Sequence, residues 1–124
     1  MEDAELTGPL DRRLGRWLLD RHVATAVRYG HPFAVVLART RDFDGTAERL
    51  AAVLRGADVL VDWAPGELLA LLPDTPPDGA SIALARLEDA APEAELTAVS
   101  WQGDLAEDLL DRVARGLGAV TPTR

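Results

Sequence analysis

Apolar positions recur at helical spacing through the first quarter of the chain. From Leu10 to Tyr29 there are good helix formers and no proline; Leu14, Trp17 and Leu18 form one apolar patch, continued by Val23, Ala26 and Val27. Gly30, with Pro32 beyond it, stops this helix. The pattern then changes. Phe33–Ala38 is an unbroken apolar run bounded by Pro32 and Arg39, which predicts a buried central strand. After the polar stretch from Arg39 to Gly45, Thr46 is expected to cap a short helix through Arg55, with Leu50, Val53 and Leu54 inward and Gly56 ending it. Asp58–Trp63 and Glu67–Leu72 are two apolar runs separated by Ala64-Pro65-Gly66, a hairpin pattern, although Leu68–Leu72 lacks β-branched residues. Pro73–Gly79 is expected as a loop. A helix over Ala80–Ala90 carries Ile82, Leu84 and Leu87 and is broken by Pro92. Glu95–Trp101 predicts a last strand, and Asp104 is expected to cap a final helix through Arg115.

The order is thus helix, then β-α-β-β-α-β, then helix. It predicts an α/β (α+β) fold with a ferredoxin-like βαββαβ core, that is, a four-stranded antiparallel sheet, plus N-terminal and C-terminal helices. A single domain over residues 1–118 is expected, with 119–124 as a frayed tail; 124 residues suit one core without staples.

Composition narrows the function classes. The chain has no cysteine, so disulfides, thiolate catalysis and cysteine-bound metal are excluded. His22 and His31 are its only histidines; His22 is expected at the surface and His31 in the turn before Pro32. A formal net charge of −8 repels a phosphate backbone, so nucleic acid is not an expected partner. No stretch approaches membrane-spanning length, and no basic segment followed by an apolar run opens the chain, so the expected location is the cytoplasm, with no membrane contact.

Glu5-Leu6-Thr7-Gly8-Pro9-Leu10-Asp11-Arg12-Arg13 resembles the D-x-L-T-G-L-x-N-R-R segment that opens GGDEF (diguanylate cyclase) domains, matching at Leu6, Thr7, Gly8, Arg12 and Arg13. His31-Pro32-Phe33 leading into an apolar strand, Leu69–Thr75, and Thr97-Ala98-Val99-Ser100 are similar to later segments of the same bacterial signalling family. The resemblance implies a GGDEF or nucleotide-cyclase-like fold. It also implies where catalytic residues would stand, and there the chain departs from the pattern. The family holds a divalent metal with an aspartate at the end of the first strand and an acid in the hairpin. Arg39 and Arg41 occupy the aspartate positions of that strand end, and the G-G-D-E-F turn is Ala64-Pro65-Gly66-Glu67-Leu68, with only Glu67 kept. A guanidinium has no acceptor atom for a cation, Ala64 adds a Cβ, and Pro65 removes an N–H and fixes φ. The substrate-contacting stretch after the first strand is shortened to Asp42-Phe43-Asp44-Gly45, and the late helix is eroded to Val113-Ala114-Arg115-Gly116.

These departures predict a pseudoenzyme with no catalytic residues, metal or cofactor, working through a protein partner or as a homodimer, rather than an active diguanylate cyclase. Arg55-Gly56-Ala57-Asp58 matches the family's R-x-x-D inhibitory site, which implies cyclic di-GMP as an alternative ligand of Arg55 and Asp58. The plainer reading has Arg55 complementing a helix C-terminus and Asp58 in a turn. Arg39 and Arg41 share a side if the strand continues, and either receive an anion or pair with Asp42, Asp44 or Glu67. Trp17 is expected as a core or dimer contact, Trp63 partly exposed beside the hairpin and Trp101 in packing, with Asp104, Glu107, Asp108 and Asp111 on a solvated face.

Overall fold

A computed structural model describes residues 8–117; Glu5, Leu6 and Thr7 of the opening segment and the 119–124 tail lie outside the described residues. The elements are α1 (Arg12–Tyr29), β1 (Phe33–Arg39), α2 (Phe43–Val53), β2 (Val59–Ala64), β3 (Glu67–Pro73), α3 (Pro77–Ala90), β4 (Glu95–Ser100) and α4 (Ala106–Gly116). The strands form one sheet in the order β2-β3-β1-β4, every neighbouring pair antiparallel, as the βαββαβ order predicts.

β1 and β3 are the inner strands and are buried on both faces, which explains their unbroken apolar runs. Ala34, Val36, Ala38, Leu68, Ala70 and Leu72 face one layer, where Leu50 of α2 and Leu87 of α3 complete the core. Phe33, Val35, Leu37, Leu69 and Leu71 face the other, closed by Leu19 of α1 and by Leu109 and Val113 of α4. Alternation along each strand therefore feeds two separate cores. The leucine-rich Leu68–Leu72 run is a strand because both its faces are covered, and burial outweighs the modest β-propensity term.

Several local expectations are corrected. Asp11 is the N-cap of α1, its carboxylate accepting from Leu14 N–H at 2.9 Å, and Leu10 instead pairs with β2 beside Val61. The inward face of α1 is Gly15, Leu19 and Ala26, while Leu14, Trp17 and Val27 are exposed. Gly15 decides this roll: a Cβ there would strike the Val61 side chain, so the glycine face alone can close onto β2.

Asp42, not Thr46, caps α2, accepting from Gly45 N–H, and Phe43-Asp44-Gly45 is the helix's first turn. α3 begins at Pro77, three residues early, because a proline in the first turn forfeits no helical hydrogen bond; its Ile82 is exposed. α4 has Leu105 at its N-cap, and the Asp104 carboxylate is taken instead by Arg112 at 2.9 and 3.0 Å. That hydrogen bond from Arg112 holds the Asp104 carboxyl below its ordinary range, and with its side chain only 13% exposed Asp104 is not on a solvated face. His22 is half-buried, its ring 5.8 Å from Phe33, and burial lowers its pKa from the ordinary value. Trp101 packs on Phe33 with ring centroids 6.0 Å apart, and its indole N–H donates to the Asp104 carbonyl.

Candidate functional site

The end of β1, the β2–β3 turn and the start of α2 meet at one edge of the sheet. Ala64 pairs with Glu67, so the turn is Pro65-Gly66 alone. Proline holds φ negative at the first turn position and Gly66 has φ +75° at the second, the signature of a type II turn. That turn has the wrong twist for a tight hairpin, and the strand register shifts between Asp62 and Ala64, at Trp63, to absorb it. The Gly66 carbonyl accepts from Thr40 N–H at 2.8 Å, which pins the turn to the end of β1. Arg12 reaches the same corner, donating to the Trp63 carbonyl at 3.0 Å with its guanidinium 4.4 Å over the indole.

This register brings Arg39 directly between Glu67 on β3 and Glu95 on β4. Its guanidinium lies 3.5 Å from the Glu67 carboxylate and 4.0 Å from that of Glu95. The strand ends at Arg39, so Arg41 falls in the following bend rather than on the same strand face. Arg39, Thr40, Arg41, Asp42, Glu93 and Glu95 line an open cleft of about 480 Å³. A divalent cation does not fit these donors. The central position is a cation without acceptor atoms, and among the described residues no group of three or more His, Asp or Glu is placed to hold a metal.

Behind this edge lies a polar network that sequence reading did not single out. Thr46 is fully buried and Thr40 nearly so. Asp42 N–H donates to the Thr40 hydroxyl at 3.0 Å, the two threonine hydroxyls are 2.8 Å apart, and the Thr46 hydroxyl donates to Glu93 at 2.6 Å. A carboxylate only accepts, so the single Thr46 proton goes to Glu93 and Thr40 must donate to Thr46. All donors point toward Glu93, which is also bonded by Arg49. That bond, followed by the one from Thr46, pulls the Glu93 carboxyl down to about 2. The network crosses 47 positions of sequence, and its only local trace is two threonines near a helix start.

Arg55 and Asp58 are brought together at the opposite end of β2. The Asp58 carboxylate accepts from Arg55 N–H at 2.8 Å and from the Arg55 guanidinium at 3.3 Å through two nitrogens. Asp58 N–H returns a bond to the Arg55 carbonyl at 3.0 Å. The R-x-x-D spacing is thus that of a four-residue turn closing on itself. Arg55 also donates to the Thr75 hydroxyl at 2.9 Å. The Asp58 side chain is only 4% exposed, whereas that of Arg55 is 56% exposed. The carbonyl of Val53, at the end of α2, is served by Arg86 instead of Arg55.

The fold is that of GGDEF domains. The chain superposes on the diguanylate cyclase SiaD of Pseudomonas aeruginosa, solved with its activator SiaC, with a TM-score of 0.81 at 20% identity; 90% of this chain covers 55% of that one, so it spans little more than half of SiaD. A sensory box/GGDEF family protein of Caulobacter crescentus gives a TM-score of 0.78 at 17% identity, over 91% of this chain and 93% of that one. The GGDEF domain of DgcB from Caulobacter crescentus, solved with cyclic di-GMP, gives 0.72 at 13% identity, over 90% and 82%. No protein-family model matches the sequence. No curated protein matches it either.

Proposed function

We propose that this chain is a non-catalytic signalling module on the GGDEF-domain fold, working by protein–protein interaction. The observation that carries this reading is Arg39, seated between Glu67 and Glu95 at the strand end where the family resemblance puts a metal-binding aspartate. Phosphoryl transfer rests on positioning and on metal neutralising charge. Here an internal guanidinium neutralises the hairpin carboxylate instead. The solved SiaD complex with its activator supports the partner role, since that protein of the same fold engages another protein. Among the described residues no helix is long and apolar enough to cross a membrane.

The purified chain is expected neither to consume GTP nor to form cyclic di-GMP with magnesium or manganese. Turnover that is lost when the Ala64-Pro65-Gly66 turn is replaced would refute the reading. A thermal-shift series tests the cation exclusion independently. Wild type is expected to be indifferent to millimolar manganese. Arg39→Asp, which apposes three carboxylates, loses about 0.2–1 kcal/mol per like-charged pair and regains it when manganese is added. Manganese stabilising the wild type equally would count against the assignment.

A second reading makes cyclic di-GMP the ligand, favoured by the convergence of Arg55 and Asp58 on one turn and by the DgcB complex. Arginine offers a bidentate fork and aspartate accepts guanine N–H groups, so the pair has the right chemistry. The ligand must displace the Arg55 guanidinium from Asp58. Calorimetry decides: binding heat with wild type that vanishes in Arg55→Ala supports the receptor, and no heat at high micromolar ligand ends it.

A further inference from the structure

The layer formed by α1 and α4 is electrically divided. α1 carries five arginines against one aspartate, while the rest of the chain carries eight arginines against twenty acidic residues. Gly15, Leu19 and Ala26 turn inward, so at about 100° per residue Arg13, Trp17, Arg21 and Arg28 lie on the outward side, and all are exposed. On α4, Ala106, Leu109 and Val113 are buried, which turns Glu107, Asp108 and Asp111 to solvent. Arg112 does not offset these acids, because its guanidinium is held by Asp104 and the Ser100 carbonyl, and Arg115, exposed in the last turn, leaves this side acidic by three carboxylates to one guanidinium. The basic and acidic ridges meet where Arg16 approaches Glu107 at 3.8 Å.

We propose that this face joins two copies of the chain about a two-fold axis running along the groove between α1 and α4. The proposal rests on reading the chain as an interaction module and names its partner as a second copy. About that axis, α1 of each copy lies over α4 of the other, so arginine meets acid twice, as an isologous contact requires. The other face-to-face arrangement, with the axis across the helices, sets α1 on α1 and arginine on arginine; like charges disfavour it. Trp17, 53% exposed with the Arg21 guanidinium 5.1 Å over its ring, sits on the basic ridge as an apolar anchor of the Trp–Arg kind enriched in binding hot spots. The 18 residues of α1 span about 27 Å and the 11 of α4 about 17 Å, so at a helix width of about 10 Å the two ridges offer about 400 Å² per copy, below the roughly 800 Å² of a standard interface. The dimer is therefore weak, and its charge pairing makes it salt-sensitive.

Sedimentation velocity on the full chain tests this through a charge swap. Wild type is expected to dimerise in low salt at high micromolar concentration and to dissociate in molar salt. Arg13→Glu/Arg21→Glu and Asp108→Arg/Asp111→Arg each oppose like charges, and each is expected to raise the dissociation constant at least about tenfold. Mixed in equal amounts, the two variants complement one another and the dimer returns as a heterodimer. Wild type that stays monomeric in low salt overturns the proposal, as does a mixture that fails to associate. So does a dimer that survives reversal of the α4 charges but not of the α1 charges. GTP turnover is read separately, so either result stands whatever the other shows.

Discussion

Leu69→Ala and Leu72→Ala are each expected to lower the unfolding free energy by about 2–5 kcal/mol, the largest single-site losses foreseen for this chain. Both leucines are fully buried on β3, the inner strand between β2 and β1. They point to opposite faces: Leu69 packs with Leu19 and Leu109 under α1 and α4, and Leu72 with Leu50 and Leu87 under α2 and α3. Truncation removes transfer free energy and leaves a cavity that the sheet cannot collapse to fill. The sheet separates the two cavities, so the double variant should lose the sum to within about 0.5 kcal/mol. Against a domain stability of about 5–15 kcal/mol, that leaves it at the margin of folding. Urea denaturation measures all three. A cost below 1 kcal/mol at either site, or strong non-additivity, contradicts the two-core description.

The second large effect concerns the network ending on Glu93. Thr46→Val keeps the shape of the side chain but deletes the donor to Glu93 and the acceptor for Thr40. Both hydroxyls are buried, so a loss of about 1–3 kcal/mol is expected. The network also sets an acid limb. The Glu93 carboxyl lies at about 2 when folded against an ordinary 4.5, so its stabilisation is complete above 4.5 and drains away as pH falls toward 2. Asp104, lowered chiefly by its bond from Arg112, acts in the same direction. Glu93→Gln is therefore destabilised near neutrality, and its deficit relative to wild type shrinks steadily below pH 4.5. Parallel pH profiles for the two proteins would show that Glu93 contributes nothing ionic.

The periodic patterns of the chain determined its elements and their order, because burial on a sheet or helix face repeats every two or about 3.6 residues and leaves a local record. The apolar run of β1 announced an inner strand, and element order then admitted the split βαβ sheet that the structure contains, in which β3 is the second inner strand. The sequence also determined that arginine, not a carboxylate, ends β1. Only the tertiary structure decided which face of α1 turns inward, since the choice depends on Gly15 meeting Val61 from another strand. It alone placed Arg39 between Glu67 and Glu95, because strand register and a bulge at Trp63 set which side chains become neighbours. It alone assembled Thr40, Thr46, Arg49 and Glu93, whose hydrogen bonds join residues far apart in the chain and leave no period to read. Periodicity records what a residue buries; it does not record which distant residue it meets.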